Sequence, residues 1–440
     1  MDAKRQAAVG ILQRLRSEGF QAFLVGGCVR DLVMGLVPKD YDIATDATPE
    51  QVTGLFPESI GVGAQFGVVL VPRPEGNVEV ATFRSDGRYT DGRHPSEVRY
   101  SRTPQQDVLR RDFTINGLLY DPVKEQVLDY VGGQADIHAR RVRAIGDPYE
   151  RFSEDRLRML RAVRFAARLA FTLDAGAAEA IRKQAAEIHQ VSSERVRDEI
   201  LKILTEGQAR RGFELLDSTR LLEEVLPEVK RMQGVAQPPG FHPEGDVWVH
   251  TMMMLEGLRS PTPTLALGVL LHDVGKPPTF SVRERIRFDN HVEVGAKMAE
   301  EILGRLRLPS RDTERVVALV RNHLRFMDFP RMRRSTQLRF LRLPGFAEHL
   351  ELHRLDCLAS HGDLSTYEMA KLLLEETPPD KVRPTPLLRG DDLIAQGYSP
   401  GPIFKEILQA VEDAQLEGRL HTSTEALSFV VVRFPLPASN

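Results

Sequence analysis

The hydrophobic pattern of this chain changes once, near residue 146, and does not change back. Before that point, short apolar runs alternate with glycine turns. "QAFLVGG" (21–27) reads as a strand running into a turn, and "VRDLVMG" (29–35) as a short helix ending at Gly35. "GVVLVP" (67–72) and "NVEVATF" (77–83) read as a strand hairpin across the turn-rich "RPEG". Thr48-Pro49 opens another helix. From "GDPYERFSED" onward the pattern is helical, with Ser153 as the expected N-cap. A chain of 440 residues is too long for one ordinary core. The Pro- and Gly-bearing stretches "GVAQPPGFHPEGD" (234–246) and "PPDKVRPTPL" (378–387) divide the helical part. The expectation is a multidomain α+β protein: a mixed sheet-and-helix head over 1–145, then helical regions over 146–235, 236–365 and 366–440.

Composition excludes several classes. No apolar run approaches the roughly 18 residues of a membrane span. The first nineteen residues follow an amphipathic helical pattern, unlike a signal peptide. Cys28 and Cys357 are too few for a disulfide framework or a thiolate zinc site, so a reducing cytoplasm is the expected setting. Net charge is only −3, but between Arg140 and Arg168 nine arginines face four acids, a local surplus of five positive charges. Such a patch suits a polyanion better than the overall balance does.

"PKDYDIAT" (38–45) carries Asp40 and Asp42 on either side of Tyr41. In a strand the two would share a face, roughly 7 Å apart. Carboxylates that close repel unless a cation lies between them. Just upstream, Gly26 and Gly27 in "GGCVRD" let backbone amides approach a phosphate, and the helix that follows adds a partial positive charge. A strand–turn–helix–strand unit with a phosphate cradle beside a carboxylate pair suits Mg²⁺, which takes one or two carboxylates plus phosphate oxygens. Glu79 reads as a third carboxylate or as an ordinary solvent-facing strand glutamate. In "RRDFTING", Arg110 and Arg111 can pair with a triphosphate, and Asp112 and Asn116 can hydrogen-bond a ribose hydroxyl. In "SEDRLRMLRAVRFAARLA", one continuous helix would place Glu154, Arg158, Arg161 and Arg168 on one face and Met159, Val163, Ala166 and Ala170 on the other.

"LVGGCVRD…KDYDIAT", "RRDFTINGLLYD" (110–121) and "EDRLRMLRAVRFAARLAF" (154–171) together resemble the class II tRNA nucleotidyltransferase and bacterial poly(A) polymerase family over roughly residues 20–200. The resemblance implies a polymerase-β-like head with Asp40 and Asp42 holding two Mg²⁺ ions, and Arg30 joining the nucleotide-binding residues. It implies that Glu154, Asp155 and Arg158, with Arg161 beside them, read the base. Cytosine and adenine each present an amine donor beside a ring-nitrogen acceptor, so a fixed carboxylate and guanidinium would take both and reject G and U. The implied substrates are CTP, ATP and the 3′ end of tRNA, with no DNA and no membrane. An A-adding enzyme or poly(A) polymerase of the same family is the alternative. The basic run that such polymerases carry is missing from "VGAQFGVVLV" (62–71). The polar segment 84–111 is expected as a mobile loop, similar to the one that switches C to A addition.

Farther on, "TLALGVLLHDVGKP" (264–277) sets His272 and Asp273 at the end of an apolar run, where burying them without partners is costly. With His250, His291, His323 and Asp356 it resembles the HD phosphohydrolase domain. This implies His250, His272, Asp273 and Asp356 as ligands, with His291 and His323 available to a second ion of the Mn, Fe, Ni or Zn kind. Two readings stay open: a working phosphohydrolase, which could even be the chain's main activity with the head vestigial, or a helical scaffold that contacts RNA.

Overall fold

The structure, a computed structural model, describes residues 2–61, 67–86, 98–240, 243 and 245–436. The chain divides into two compact units, residues 1–231 with 305–308, and residues 232–304 with 309–440.

The first unit opens on α1 (Ala3–Ser17), whose N-cap Asp2 accepts from the Arg5 amide at 2.8 Å. It packs on β1 (Ala22–Val25). Next come α2 (Gly27–Val33), β2 (Asp42–Thr45), α3 (Pro49–Leu55), β3 (Val68–Val71) and β4 (Val78–Thr82). A capping box between Thr48 and Gln51, with Pro49 in the first turn, starts α3. After the short strands β5 (Arg84–Asp86) and β6 (Val98–Tyr100), β7 (Leu118–Asp121) and β8 (Gln126–Asp129) complete a six-stranded sheet in the order β3-β4-β2-β1-β7-β8. Only β2 and β4 pair in parallel; the other four pairings are antiparallel. The expected mixed sheet and the 67–83 hairpin are present.

Two sequence expectations in the head need correction. Asp40 is not in the strand. β1 ends at Val25, the register partner of Asp42, so β1 offers no partner to the residues before Asp42. Tyr41 instead turns to α1, its hydroxyl donating to Asp2 Oδ2 at 2.8 Å. The segment 84–111 is not one loop either. Arg84–Asp86 and Val98–Tyr100 form an antiparallel pair, and Pro104–Leu109 is a helix with Asp107 and Val108 buried. Residues 87–97 of that segment, and 62–66 of the "VGAQF" stretch, lie outside the described residues.

The helical part of this unit also departs from the pattern reading. Asp147, not Ser153, caps the first helix (Pro148–Glu154), accepting from the Tyr149 and Glu150 amides. Ser153 lies inside that helix and accepts from Gln184. The expected single helix is broken: Asp155 is extended (φ −144°, ψ 105°), and the next helix runs Leu157–Arg168. Its inner face holds Met159, Val163 and Ala166, all fully buried.

The second unit is helical apart from one hairpin, Phe280–Val282 with Ile286–Phe288. A phenylalanine-rich core around Phe326, Phe329, Phe340 and Phe346 fills its middle, and a separate apolar cluster, Leu388 to Val430, its last part. No helix among the described residues is long and apolar enough to cross a membrane.

Gly133 sits directly under the 3₁₀ turn Thr114–Asn116; a Cβ there would lie 2.2 Å from the Thr114 carbonyl oxygen and 3.0 Å from Leu118. Gly133→Ala should therefore destabilise the head by at least about 2 kcal/mol through overpacking. Urea unfolding would show the shifted midpoint.

Candidate active site and metal cluster

A cleft of about 430 Å³ opens in the first unit where the glycine turn, the "RRDFTIN" segment and the Leu157–Arg168 helix converge. Gly26 has φ 76° and initiates α2, a conformation that favours glycine, and it lies against Arg111, whose Nη1 would be 3.5 Å from a Cβ there. Seven arginines (30, 110, 111, 158, 161, 168 and 195) line the cleft against three acids, Asp42, Asp112 and Asp155. That surplus suits the cleft to a polyanion.

Carboxylates hold most of these guanidiniums in place. Buried Asp107 takes Arg110 on one oxygen, at 2.7 and 2.9 Å, and Arg111 on the other, at 2.9 and 3.2 Å. Burial raises the Asp107 pKa, but the two arginines outweigh it and leave the carboxyl below its usual range. Arg30 is buried, pairs with Asp31 and donates to Asn116 Oδ1 at 2.8 Å. Arg161 grips Asp112 Oδ2 through two bonds of 3.0 and 2.6 Å. The other oxygen of Asp112 accepts from the Phe113 amide and Asn116. Asp112 thus meets four donors already, so here it anchors Arg161 rather than reaching for a sugar hydroxyl.

Asp155 and Arg158 both line the cleft; the Arg158 amide donates to the Asp155 carbonyl at 3.0 Å, but their side chains take other partners. Arg158 Nη1 meets Glu154 Oε2 at 2.5 Å, whereas Asp155 Oδ2 accepts from Arg195 at 2.9 Å and its Oδ1 from the Leu157 amide. The helix break at Asp155 separates the two. Sequence reasoning missed Arg195 and Asp107 as site residues. Arg195 lies 40 positions from its partner, and no local pattern links them.

Of the three head carboxylates, Asp42 faces this cleft. Glu79 on β4 lies beside it, since Ile43 pairs with Val80 one step along. Burial, then Glu79, and last Asp40, push the Asp42 carboxyl up to about 6, against the pull of Arg111. Asp40 is exposed and meets Lys4 Nζ at 3.4 Å. Hard oxygen donors with unrelieved like-charge repulsion fit a divalent cation.

The second unit holds a different cluster. His250 lies in the helix Val247–Gly257, and His272 and Asp273 follow the helix Pro263–Leu271. His291 begins a helix, His323 ends one, and Asp356 lies in Phe346–Ala359. His250, His272 and Asp273 form one group of candidate ligands, and Asp273, His291 and His323 another; within each, the ligand atoms lie within 4.8 Å of one another. Asp273 is common to both. Asp356 Oδ1 is 3.2 Å from His250 Nε2.

The tautomers are set by the backbone. Nδ1 of His272, His291 and His323 meets the carbonyl three residues earlier, at 2.8, 2.8 and 2.7 Å. A carbonyl only accepts, so Nδ1 carries the proton and Nε2 presents its lone pair. Nε2 of His272 and His291 and Oδ1 of Asp273 are buried without a hydrogen-bond partner among the described residues. Burial lowers His323 to about 4 despite Asp273, keeping it neutral. Asp273 is well below the carboxylate range; burial opposes this, but His272 and Lys276 prevail. Gly275 permits the assembly, because a Cβ there would sit 2.1 Å from the His291 carbonyl oxygen. The donor set fits a divalent metal ion.

Three parts of the chain match known families: residues 22–143 the Poly A polymerase head domain, 170–233 the probable RNA and SrmB-binding site of polymerase A, and 246–351 the HD domain. A CCA-adding enzyme of Bacillus pumilus is 43% identical over 218 residues, 50% of this chain and 54% of that protein. Poly(A) polymerase I of Haemophilus influenzae is 37% identical over 232 residues, 50% of this chain and 51% of that one. The matched segment thus spans about half the length of these curated relatives. Among solved structures, the Bacillus stearothermophilus CCA-adding enzyme in complex with CTP superposes with a TM-score of 0.76 at 28% identity, covering 98% of this chain and 99% of that one. The resemblance read from the motifs and the expected fold class, a mixed-sheet head followed by a helical body with an HD domain, are borne out.

The raised Asp42 carboxyl has a consequence for stability. Its unfolded value is near 3.8 and its folded value about 6. Between those values the unfolded chain releases a proton that the folded one retains. The destabilisation therefore grows from about pH 4 to pH 6 and stays constant above. At pH 7.5 without divalent ions, Asp42→Asn should stabilise the protein by up to about 3 kcal/mol. Thermal melts should show the gain shrinking to nothing below about pH 4.

Proposed function

We propose that the protein adds or repairs the 3′-terminal CCA of tRNA, using CTP and ATP. The observation that carries this reading is the arginine-lined cleft, with Asp42 at its edge and Asp155 and Arg158 on its wall. The RNA 3′-hydroxyl oxygen forms a bond to the α-phosphorus, the α–β P–O bond breaks, pyrophosphate leaves and the hydroxyl proton is released. Asp40, Asp42 and Glu79 would hold two Mg²⁺ ions. Magnesium bound there would supply acidification of the attacking hydroxyl and neutralisation of charge on the departing pyrophosphate. Arg110 and Arg111, aimed by Asp107, take the triphosphate, and the amides after Gly26 and Gly27 cradle it. Arg30 braces Asn116 from below. Arg161, locked by Asp112, adds positive charge to the cleft.

Asp155 accepts from the exocyclic amine of C or A while Arg158, steadied by Glu154, donates to the ring nitrogen; against G or U both groups lose their complement. The relatives named CCA-adding enzymes support this over an A-adding or poly(A)-forming enzyme, although one relative bears the latter name. We place the head at 1–145, a base-reading neck at 146–235, the HD domain at 236–365 and a C-terminal RNA-contacting region at 366–440, in a cytoplasmic protein.

A second reading concerns the HD cluster, because three histidines there present backbone-fixed Nε2 lone pairs around Asp273. It would hold Mn, Fe, Ni or Zn through His250, His272, Asp273 and Asp356, with His291 and His323 for a second ion. Its chemistry would be phosphate-ester hydrolysis, such as opening a 2′,3′-cyclic phosphate on a damaged tRNA end. The oxygen of water forms the new P–O bond and the leaving ribose oxygen takes a proton.

Three outcomes are expected. A tRNA ending before CCA, incubated with single and paired nucleotides, should incorporate C from CTP and then A. Asp42→Ala should cut the rate at least about 100-fold while the protein keeps its fold by circular dichroism; A incorporation without C would reject the CCA reading. Arg195→Ala should free Asp155 and reduce the preference for CTP over UTP by about 10-fold in kcat/KM, with Arg195→Lys recovering part of it.

A further inference from the structure

The Phe280–Val282/Ile286–Phe288 hairpin has two chemically distinct faces, and its base reaches the HD cluster. Cross-strand pairs Phe280–Phe288 and Val282–Ile286 share one face. Ser281 and Arg287 share the other, and Arg283 and Arg285 continue that alternation into the turn. The hairpin carries three arginines against a lone acid, Glu284. Among the described residues, none of the three arginines is in an ion pair, and Arg287 Nε is buried without a hydrogen-bond partner. This contrasts with the first unit, where the cleft arginines meet carboxylates.

The apolar face leads into the pocket. Phe288 lines the cavity of about 610 Å³ that contains His272, Asp273, His291, His323 and Asp356. Its ring lies 6.2 Å from that of His291 and 5.9 Å from that of Phe280. Lys276 Nζ sits 5.4 Å over the Phe288 ring while bonded to Asp273 at 2.7 Å. Val282 is 64% exposed and Phe280 42%, so this face continues outward from the pocket as apolar surface. Aromatic surface beside unpaired arginines is the composition that holds single-stranded nucleic acid, with bases on rings and phosphates on guanidiniums.

We infer that this hairpin grips the single-stranded 3′ segment of an RNA whose terminal phosphate enters the HD pocket. Arg283, Arg285 and Arg287 bind the backbone upstream of the end, and Phe280 and Phe288 stack its bases. The inference rests on the hydrolase reading of that pocket and adds to it a substrate class: a polynucleotide end in preference to a free nucleotide.

The test compares the full-length parent with Arg283→Ala/Arg285→Ala/Arg287→Gln, and with a variant carrying lysine at all three positions. Two probes are used: a short oligoribonucleotide ending in 2′,3′-cyclic phosphate, and 2′,3′-cyclic AMP, each with Mg²⁺, Mn²⁺, Ni²⁺ and Zn²⁺ in turn. The triple variant should lose about 10-fold in kcat/KM on the oligonucleotide and flatten its log–log salt dependence by about 2, three lost contacts at about 0.7 each. Hydrolysis of 2′,3′-cyclic AMP should stay within about twofold, and the lysine variant should recover most of the oligonucleotide activity. Equal activity of parent and triple variant on the oligonucleotide overturns the inference while leaving the hydrolase reading intact. An equal fall on both probes overturns it as well, since it assigns the arginines to scaffold. A parent that cleaves neither probe with any ion overturns the hydrolase reading, and the inference with it.

Discussion

Like charges crowd the cleft of the first unit, and a layer of carboxylates is what makes that crowding tolerable. Asp107 divides its two oxygens between Arg110 and Arg111, Asp112 meets Arg161, Glu154 meets Arg158 and Asp155 meets Arg195. Unpaired, these guanidiniums would repel one another and swing on flexible stems. Paired, they stand in fixed directions, and arginines still outnumber acids seven to three along the cleft. Under the proposed function, a site that recognises a triphosphate and one edge of a base would gain from groups that need little reordering when the ligand arrives.

The HD cluster follows the opposite logic. Its donors are imidazoles around a carboxylate, and backbone carbonyls orient three of them. The repeated distance of three residues between each histidine and its carbonyl arises from helix and turn geometry at His272, His291 and His323. Buried nitrogen lone pairs that converge on Asp273 leave a demand that a cation can meet. The head, by contrast, gathers hard oxygen donors whose burial, and after it mutual repulsion, raise the Asp42 carboxyl. The two donor sets thus differ in ligand softness and charge.

The sequence was misleading where a pattern ran smoothly across a structural break. Glu154, Arg158 and Arg161 keep helical spacing, so periodicity sees one helix. The chain is nevertheless extended at Asp155, where Arg195 and the Leu157 amide hold the side chain. Asp40 and Asp42 alternate as strand residues should, but β1 offers no partner before Asp42, and Asp40 turns toward Lys4. Between 98 and 111 the residues are polar and loop-like in composition; the contacts that order them, Ser101 to Phe83 and Arg84 to Asp107, join neighbouring segments.

What the sequence determined by itself was the division into a sheet-bearing head and a helical remainder, and the supply of chemically active residues. Both are written in local periodicity and in rare residue types set at the ends of apolar runs. The motif order sufficed to identify the family resemblance. Only the tertiary structure decided which charge meets which: Arg161 with Asp112 across 49 positions, Arg195 with Asp155 across 40, Arg164 with Glu199 across 35. The physical reason is that Coulomb energy and desolvation depend on distance and burial in space. An arginine reads the same in a sequence whether it is solvated, locked to a buried acid, or left unpaired on a hairpin.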